Sequence, residues 1–256
     1  MPDGTTRAPA TPPVVDRDTW NAQVEALRVR EKAHTHEGDA IAAARRRLPM
    51  VEVDPASALI GPAGEVRLID TFDGRSQLLA SYMMWYDGAP AAEQCEGCTK
   101  DNTQVHDLPW LHSRDLTFAV FCQGPFPEAD RYGKFLGWEM PLYSVPESSR
   151  DALISGRHFG MNVYYLRDGD QVFETYWTTG RGNEIMGSSY AMLDMSVYGR
   201  QESWEDSPEG WPRKYLGTYS EQMRTDENGC SVARPGGRPI SQWARLAAGH
   251  SDDIGT

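Results

Sequence analysis

Gln77-Leu78-Leu79-Ala80-Ser81-Tyr82-Met83-Met84-Trp85-Tyr86, broken by Asp87-Gly88-Ala89-Pro90 and followed by Cys95-Glu96-Gly97-Cys98, is the stretch that decides the fold. The apolar run is too continuous for a strand with one wet face, so it predicts a strand covered on both faces. The Asp-Gly-Ala-Pro segment stops that strand, and the two cysteines fall where a helix should begin. A thiol in the first turn of a helix meets unpaired amide N–H groups and the positive end of the helix dipole, both of which favour thiolate. That arrangement suits a redox dithiol. Structural zinc is the alternative, but it needs four ligands, usually as two pairs, and neither a second Cys-x-x-Cys nor a His-x-x-x-His occurs.

Composition narrows the function classes. The 256 residues suffice for one substantial core with appendages. With 25 Lys+Arg against 37 Asp+Glu, the net charge of −12 disfavours nucleic acid and anionic membranes as partners. No segment approaches the roughly 18 apolar residues of a membrane span, and residues 1–7 lack the apolar stretch of a signal peptide. The expected location is cytoplasmic, where a dithiol rests reduced.

Outward from the dithiol, the pattern alternates. Pro9, Pro12 and Pro13 mark residues 1–15 as a disordered leader. Residues 16–58 read as an N-terminal helical extension, an α-helical hairpin with Trp20, Val24, Leu27 and Ala33 on one face, capped at Asp18 or Thr19. Arg45-Arg46-Arg47 closes it, complementing the negative end of a dipole. Residues 50–53 and 64–70 suggest a β-ribbon. Residues 99–111 predict the helix carrying Cys98, 116–122 a second buried strand, and 127–136 a second helix. Residues 161–166 and 171–177 flank Arg167-Asp168-Gly169-Asp170 as a hairpin, and 184–193 close with a helix. This order predicts an α/β, thioredoxin-like mixed sheet flanked by helices over residues 59–200. An extended C-terminal tail over 201–256 would wrap the core, with Cys230 in an exposed loop and residues 240–246 docking as a short helix, on another subunit if the protein is a homodimer.

The ordered motifs also carry a family resemblance. They are Arg45-Arg46-Arg47-Leu48-Pro49, Phe72-Asp73-Gly74-Arg75, Cys95-Glu96-Gly97-Cys98, Arg114-Asp115, Gly137-Trp138, Leu166-Arg167-Asp168-Gly169, Gly180-Arg181-Gly182 and Gly199-Arg200. From about Asp16 to Arg213 the chain resembles the bacterial thioredoxin-like family catalogued as domain of unknown function 899 (DUF899). The resemblance implies a thioredoxin-like fold and a redox role, and names no substrate. Against the family pattern, Glu96 replaces a proline and sets a carboxylate beside Cys95, opposing thiolate. Cys122 stands where serine is usual and is expected to face the dithiol. Met161-Asn162 occupies the place of the cis-proline of ordinary thioredoxins.

Three readings of the site follow. In the first, an oxidoreductase exchanges disulfides with a small molecule or a protein, Cys95 attacking from an exposed helix terminus and Cys98 resolving, with no cofactor required. In the second, Cys95, Cys98 and Cys122 with His158 supply the sulfur and imidazole set that Cu(I) prefers, acting on a small organic substrate. In the third, a non-catalytic binding module uses an aromatic-lined cleft. Trp85 and Tyr176 are candidate cleft residues, and Arg181, flanked by glycines, is a candidate fork for an anionic substrate.

Overall fold

The computed structural model describes residues 10–91, 94–202 and 204–212. Its centre is strand β4, Gln77–Met83, buried at every position after the first. The parallel partner on one side is β5, Leu116–Cys122, in the register Gln77↔Leu116 to Met83↔Cys122. On the other side β7, Met161–Asp168, pairs antiparallel and turns through Gly169 and Asp170 into β8, Gln171–Thr179. Alternation along each strand sends Leu78, Ala80, Tyr82, Ala119 and Phe121 into one apolar cluster, and Leu79, Met83, Phe118, Val120 and Cys122 into another on the opposite face. Two-faced burial is why the β4 sequence reads as an unbroken apolar run.

Helices fill the connections. Between β4 and β5 lie α2, Glu96–Thr103, and α3, Leu108–His112; after β5 comes α4, Phe126–Leu136. The helix predicted over residues 99–111 is therefore two. It starts three residues early, placing Cys98 inside the first turn, and breaks at residues 104–107 because Pro109 has no N–H with which to continue α2. Residues 184–193 likewise divide into a 3-10 segment, Gly180–Met186, and α6, Ser188–Asp194. The order of β8, β7, β4 and β5, with helical crossovers and one closing hairpin, makes the core thioredoxin-like.

Three additions surround that core. Strand β1, Val51–Val53, extends the sheet beyond β8. At the far edge, the hairpin of β2, Ala58–Gly61, and β3, Gly64–Arg67, joins through β6, Leu142–Ser144. The full order is β1-β8-β7-β4-β5-β6-β2-β3. The β-ribbon expected from residues 50–70 is thus split between opposite edges, since β1 pairs with distant β8 rather than its neighbours in sequence. Helix α5, Glu147–Ile154, lies between β6 and β7, a segment with no distinct sequence pattern.

The N-terminal hairpin is corrected to one helix, α1, Arg17–Arg45, 29 residues long with no buried residue. Asp16, rather than Asp18 or Thr19, caps it by accepting from Thr19 N at 2.9 Å. Gly38 does not break it, since one glycine costs a helix only about 1 kcal/mol. The Arg47 guanidinium donates to the Ala43 carbonyl near its end, as the dipole argument expects. Among the described residues no helix is long and apolar enough to cross a membrane. Cys230 and residues 240–246 lie outside the described residues.

Close packing sets the tolerance at the strand ends. A Cβ at Gly124, just past β5, would overlap the indole ring of Trp85, which is itself 7% exposed. Gly124→Ala is expected to lower stability by roughly 1–3 kcal/mol, because a buried indole cannot swing into solvent as a flexible chain would. The shift in the urea midpoint measures it.

Candidate functional site

The site begins with a stapled loop. Gln94, 2% exposed, accepts from Tyr86 N at 3.0 Å and donates to Tyr86 O at 2.9 Å and Ala89 O at 3.0 Å. One amide side chain thereby ties the segment after β4 to the start of α2. Cys95 is the N-cap of α2, and its sulfur accepts from the backbone N–H of Cys98 at 3.4 Å. Thr99 donates its backbone N–H and its hydroxyl to Cys95 O, and shares a 2.7 Å hydrogen bond with the buried Tyr132 hydroxyl on α4. The dithiol is anchored to the core on both sides of its first turn.

The two sulfurs are 3.0 Å apart, and either could donate to the other. The backbone breaks that symmetry, since the Cys98 amide points at Cys95 and favours negative charge there. The hydrogen bond from Cys98 and these amides hold the Cys95 thiol below the ordinary thiol range, against the opposing effects of burial and of the Asp101 carboxylate. The Cys98 thiol is pushed well above that range, first by its hydrogen bond to Cys95 and then by burial. An activated thiolate beside a protonated partner is the division of labour that thiol exchange needs. One expectation is corrected: Cys95 is not exposed but 2% accessible, whereas Cys98 is half-buried, because the cap geometry turns the first sulfur inward.

A cavity of about 810 Å³ opens beside the dithiol and includes Cys95, Glu96, Gly97 and Cys98 in its lining. Tyr82 and Met84 come from the end of β4, Ile154 from the end of α5, and Phe159 to Asn162 from the approach to β7 and its first residues. Lys100 and Asp101 line it from α2, paired at 3.1 Å. Arg150 and Arg157 reach it from α5 and the following turn. Arg157 is held by a bidentate ion pair with Glu174 at 2.7 and 2.8 Å. Sequence reading missed these cations. Lys100 left a local signal, two residues after Cys98 in the predicted helix; Arg157 and Glu174 lie 17 residues apart in sequence and meet only in the folded chain.

The other predicted site residues disperse. His158 does line the cavity and pairs through Nδ1 with Phe159 O at 2.9 Å. Cys122 does not line the cavity. It is fully buried among Phe118, Val120 and Tyr132, its sulfur accepts from Gly124 N, and burial pushes its thiol up to about 12. Cys122 shares a face with Phe118 and Val120, in the apolar cluster on which Cys98 also packs. Among the described residues no group of three or more His, Cys, Asp or Glu is gathered as a metal would require.

Trp85, Tyr176 and Arg181 lie outside the cavity lining, each packed on partners of its own. Trp85 donates to Glu128 at 3.2 Å and meets Tyr132 edge-on at 5.5 Å. Tyr176 tilts against Tyr164 and lies under the Arg45 guanidinium. Arg181 pairs with Glu184 at 2.9 Å and covers the Trp204 ring, so its fork is turned to the protein's own carboxylate.

Comparison with known proteins adds a family. No curated protein matches the chain. Among solved structures it is similar to a thiol:disulfide interchange protein from Bacteroides sp., with 16% identity and TM-score 0.39 over 60% of this chain and 95% of that one. It is also similar to peroxiredoxin Q from Xanthomonas campestris, with 14% identity and TM-score 0.37 over 54% of this chain and 94% of that one. Likeness at that level adds nothing to the fold assignment, which stands on strand order and pairing. The family model is more extensive, matching residues 9–224 and thus the whole core together with its N-terminal arm. The chain belongs to the family described as bacterial protein of unknown function, DUF899.

Proposed function

We propose that the protein is a thiol–disulfide oxidoreductase in which Cys95 attacks and Cys98 resolves. The observation that carries this reading is the Cys95 sulfur at the head of α2, accepting the Cys98 amide and 3.0 Å from the Cys98 sulfur. In the first step the Cys95 thiolate attacks one sulfur of a disulfide R–S–S–R′, forming a mixed disulfide and expelling R′–S⁻. Cys98 then loses its proton and attacks the Cys95 sulfur, releasing R–S⁻ and leaving a Cys95–Cys98 disulfide. Two electrons pass to the substrate, and an external dithiol restores the reduced pair. A reducing cytoplasm suits that cycle.

No metal takes part in these steps. A Cu(I) enzyme would call on Cys122 as a third sulfur ligand, and Cys122 is not among the residues that line the cavity with Cys95 and Cys98. Copper bound stoichiometrically after purification without added metal, in protein lacking disulfide reductase activity, would favour that second reading.

Two measurements test the dithiol. Cys98→Ser is expected to trap a mixed disulfide through Cys95, visible as an added mass, whereas Cys95→Ser traps none. Iodoacetamide labelling should modify Cys95 ahead of Cys98, with its inflection in pH below the ~8.5 of an ordinary thiol. The sign follows from the shift: a depressed thiol pKa leaves thiolate present at lower pH, so reactivity is retained there and lost only as pH falls through the depressed value. Equal labelling of both cysteines, or an inflection at or above the ordinary value, would remove the assignment of Cys95 as nucleophile.

A further inference from the structure

The dithiol reading leaves open whether the disulfide belongs to a protein or to a small molecule, and the surroundings of Cys95 bear on the choice. Its sulfur is nearly buried, yet Cys95 lines a cavity whose 810 Å³ falls in the range of small-ligand sites, roughly 300–1,000 Å³. A polypeptide disulfide docking on the outside would have to bring its sulfur to an inward-facing thiolate. A free disulfide need only enter.

The backbone next to the cavity argues the same way. Extended peptides gain affinity by bonding to free N–H and C=O groups of a strand. At Gly160, immediately before β7, those groups are already bonded: its N–H donates to Tyr82 O at 2.7 Å, and its carbonyl accepts from Thr179 Oγ1 at 2.8 Å and Asn183 Nδ2 at 2.9 Å. No main-chain group of Gly160 remains to hold a peptide.

Charge and packing then select among small molecules. The three Lys and Arg side chains in the lining are committed to the protein's own carboxylates, Lys100 to Asp101, Arg150 to Glu147 and Arg157 to Glu174. An anionic substrate would have to displace one of those carboxylates. Met84, Ile154, Phe159 and Met161 give the cavity an apolar wall. We infer that the substrate of Cys95 is a low-molecular-weight disulfide without anionic groups and with an apolar arm, which enters the cavity beside α2 and lays that arm against Met84, Ile154 and Phe159. This rests on the dithiol reading. The electron balance is that reading's own, with R–S–S–R′ reduced to two thiols and an external dithiol as reductant.

The test oxidises the fully reduced protein in single turnover with three probes: dipropyl disulfide, the dianionic disulfide of thionitrobenzoate, and insulin. Each rate is divided by that probe's rate with free dithiothreitol, which removes intrinsic reactivity. The normalised rate for dipropyl disulfide should exceed the other two by roughly tenfold or more, the discrimination that apolar pocket contacts typically supply. Ile154→Ala and Met84→Ala should each raise the KM for dipropyl disulfide, with iodoacetamide labelling of Cys95 unchanged; two variants are used so that misfolding of one does not decide the result. Insulin or the dianion matching dipropyl disulfide would overturn the inference while leaving the dithiol standing. If none of the three oxidises the protein, the dithiol reading itself falls, and the inference with it.

Discussion

Strand β4 is the constraint on which the rest depends. It is hydrogen-bonded to β5 on one side and β7 on the other, and its side chains enter both apolar clusters. A strand placed this way cannot slip by one residue without exchanging two packed faces. Its end is therefore fixed in space, and Cys95 follows only twelve residues after Met83. Within the core, the Tyr82 and Tyr165 hydroxyls share a 2.7 Å hydrogen bond, satisfying two polar groups that burial would otherwise penalise.

A fixed strand end is not yet a reactive thiol. Gln94 supplies the next step by bonding the intervening loop at three points, and Thr99 ties the first turn of α2 to Tyr132. With these in place the Cys98 amide has no choice of direction but toward Cys95. The electrostatic preference between the two sulfurs is thus a consequence of packing well outside them.

The closing elements hold α2 from its other side. Gln104, its C-cap, accepts from Ser189 N at 2.8 Å at the start of α6. Lys100 lies 3.3 Å from the centre of the Tyr190 ring, and Arg200, 8% exposed, packs on the same ring while pairing with Glu184 and Asp194. Burial pushes the Lys100 ammonium pKa down, the cost of taking a cation out of water. Buried ion pairs add little net stability over apolar packing, but losing one partner strands a charge. This cluster therefore fixes α6 against α2 in one arrangement more than it strengthens the fold.

Sequence alone determined the elements whose patterns are local. The unbroken apolar runs of β4 and β5, the turn between β7 and β8, and the dithiol after a strand break were all legible, because burial on two faces and tight turns each leave a mark within ten residues. The ordered motifs carried the family. Sequence could not separate β1 from the β2–β3 hairpin, since β1 and β2 each pair with strands far along the chain, nor could it see that Cys122 is buried in an apolar cluster outside the cavity lining. It named Trp85, Tyr176 and Arg181 as cleft residues without access to their packing partners, which leave them outside the lining of the cavity beside Cys95. Only the tertiary structure brought α5, the approach to β7 and the pair of Arg157 with Glu174 around Cys95, because a cavity is made by segments that meet in space, and no periodicity in one of them records the others.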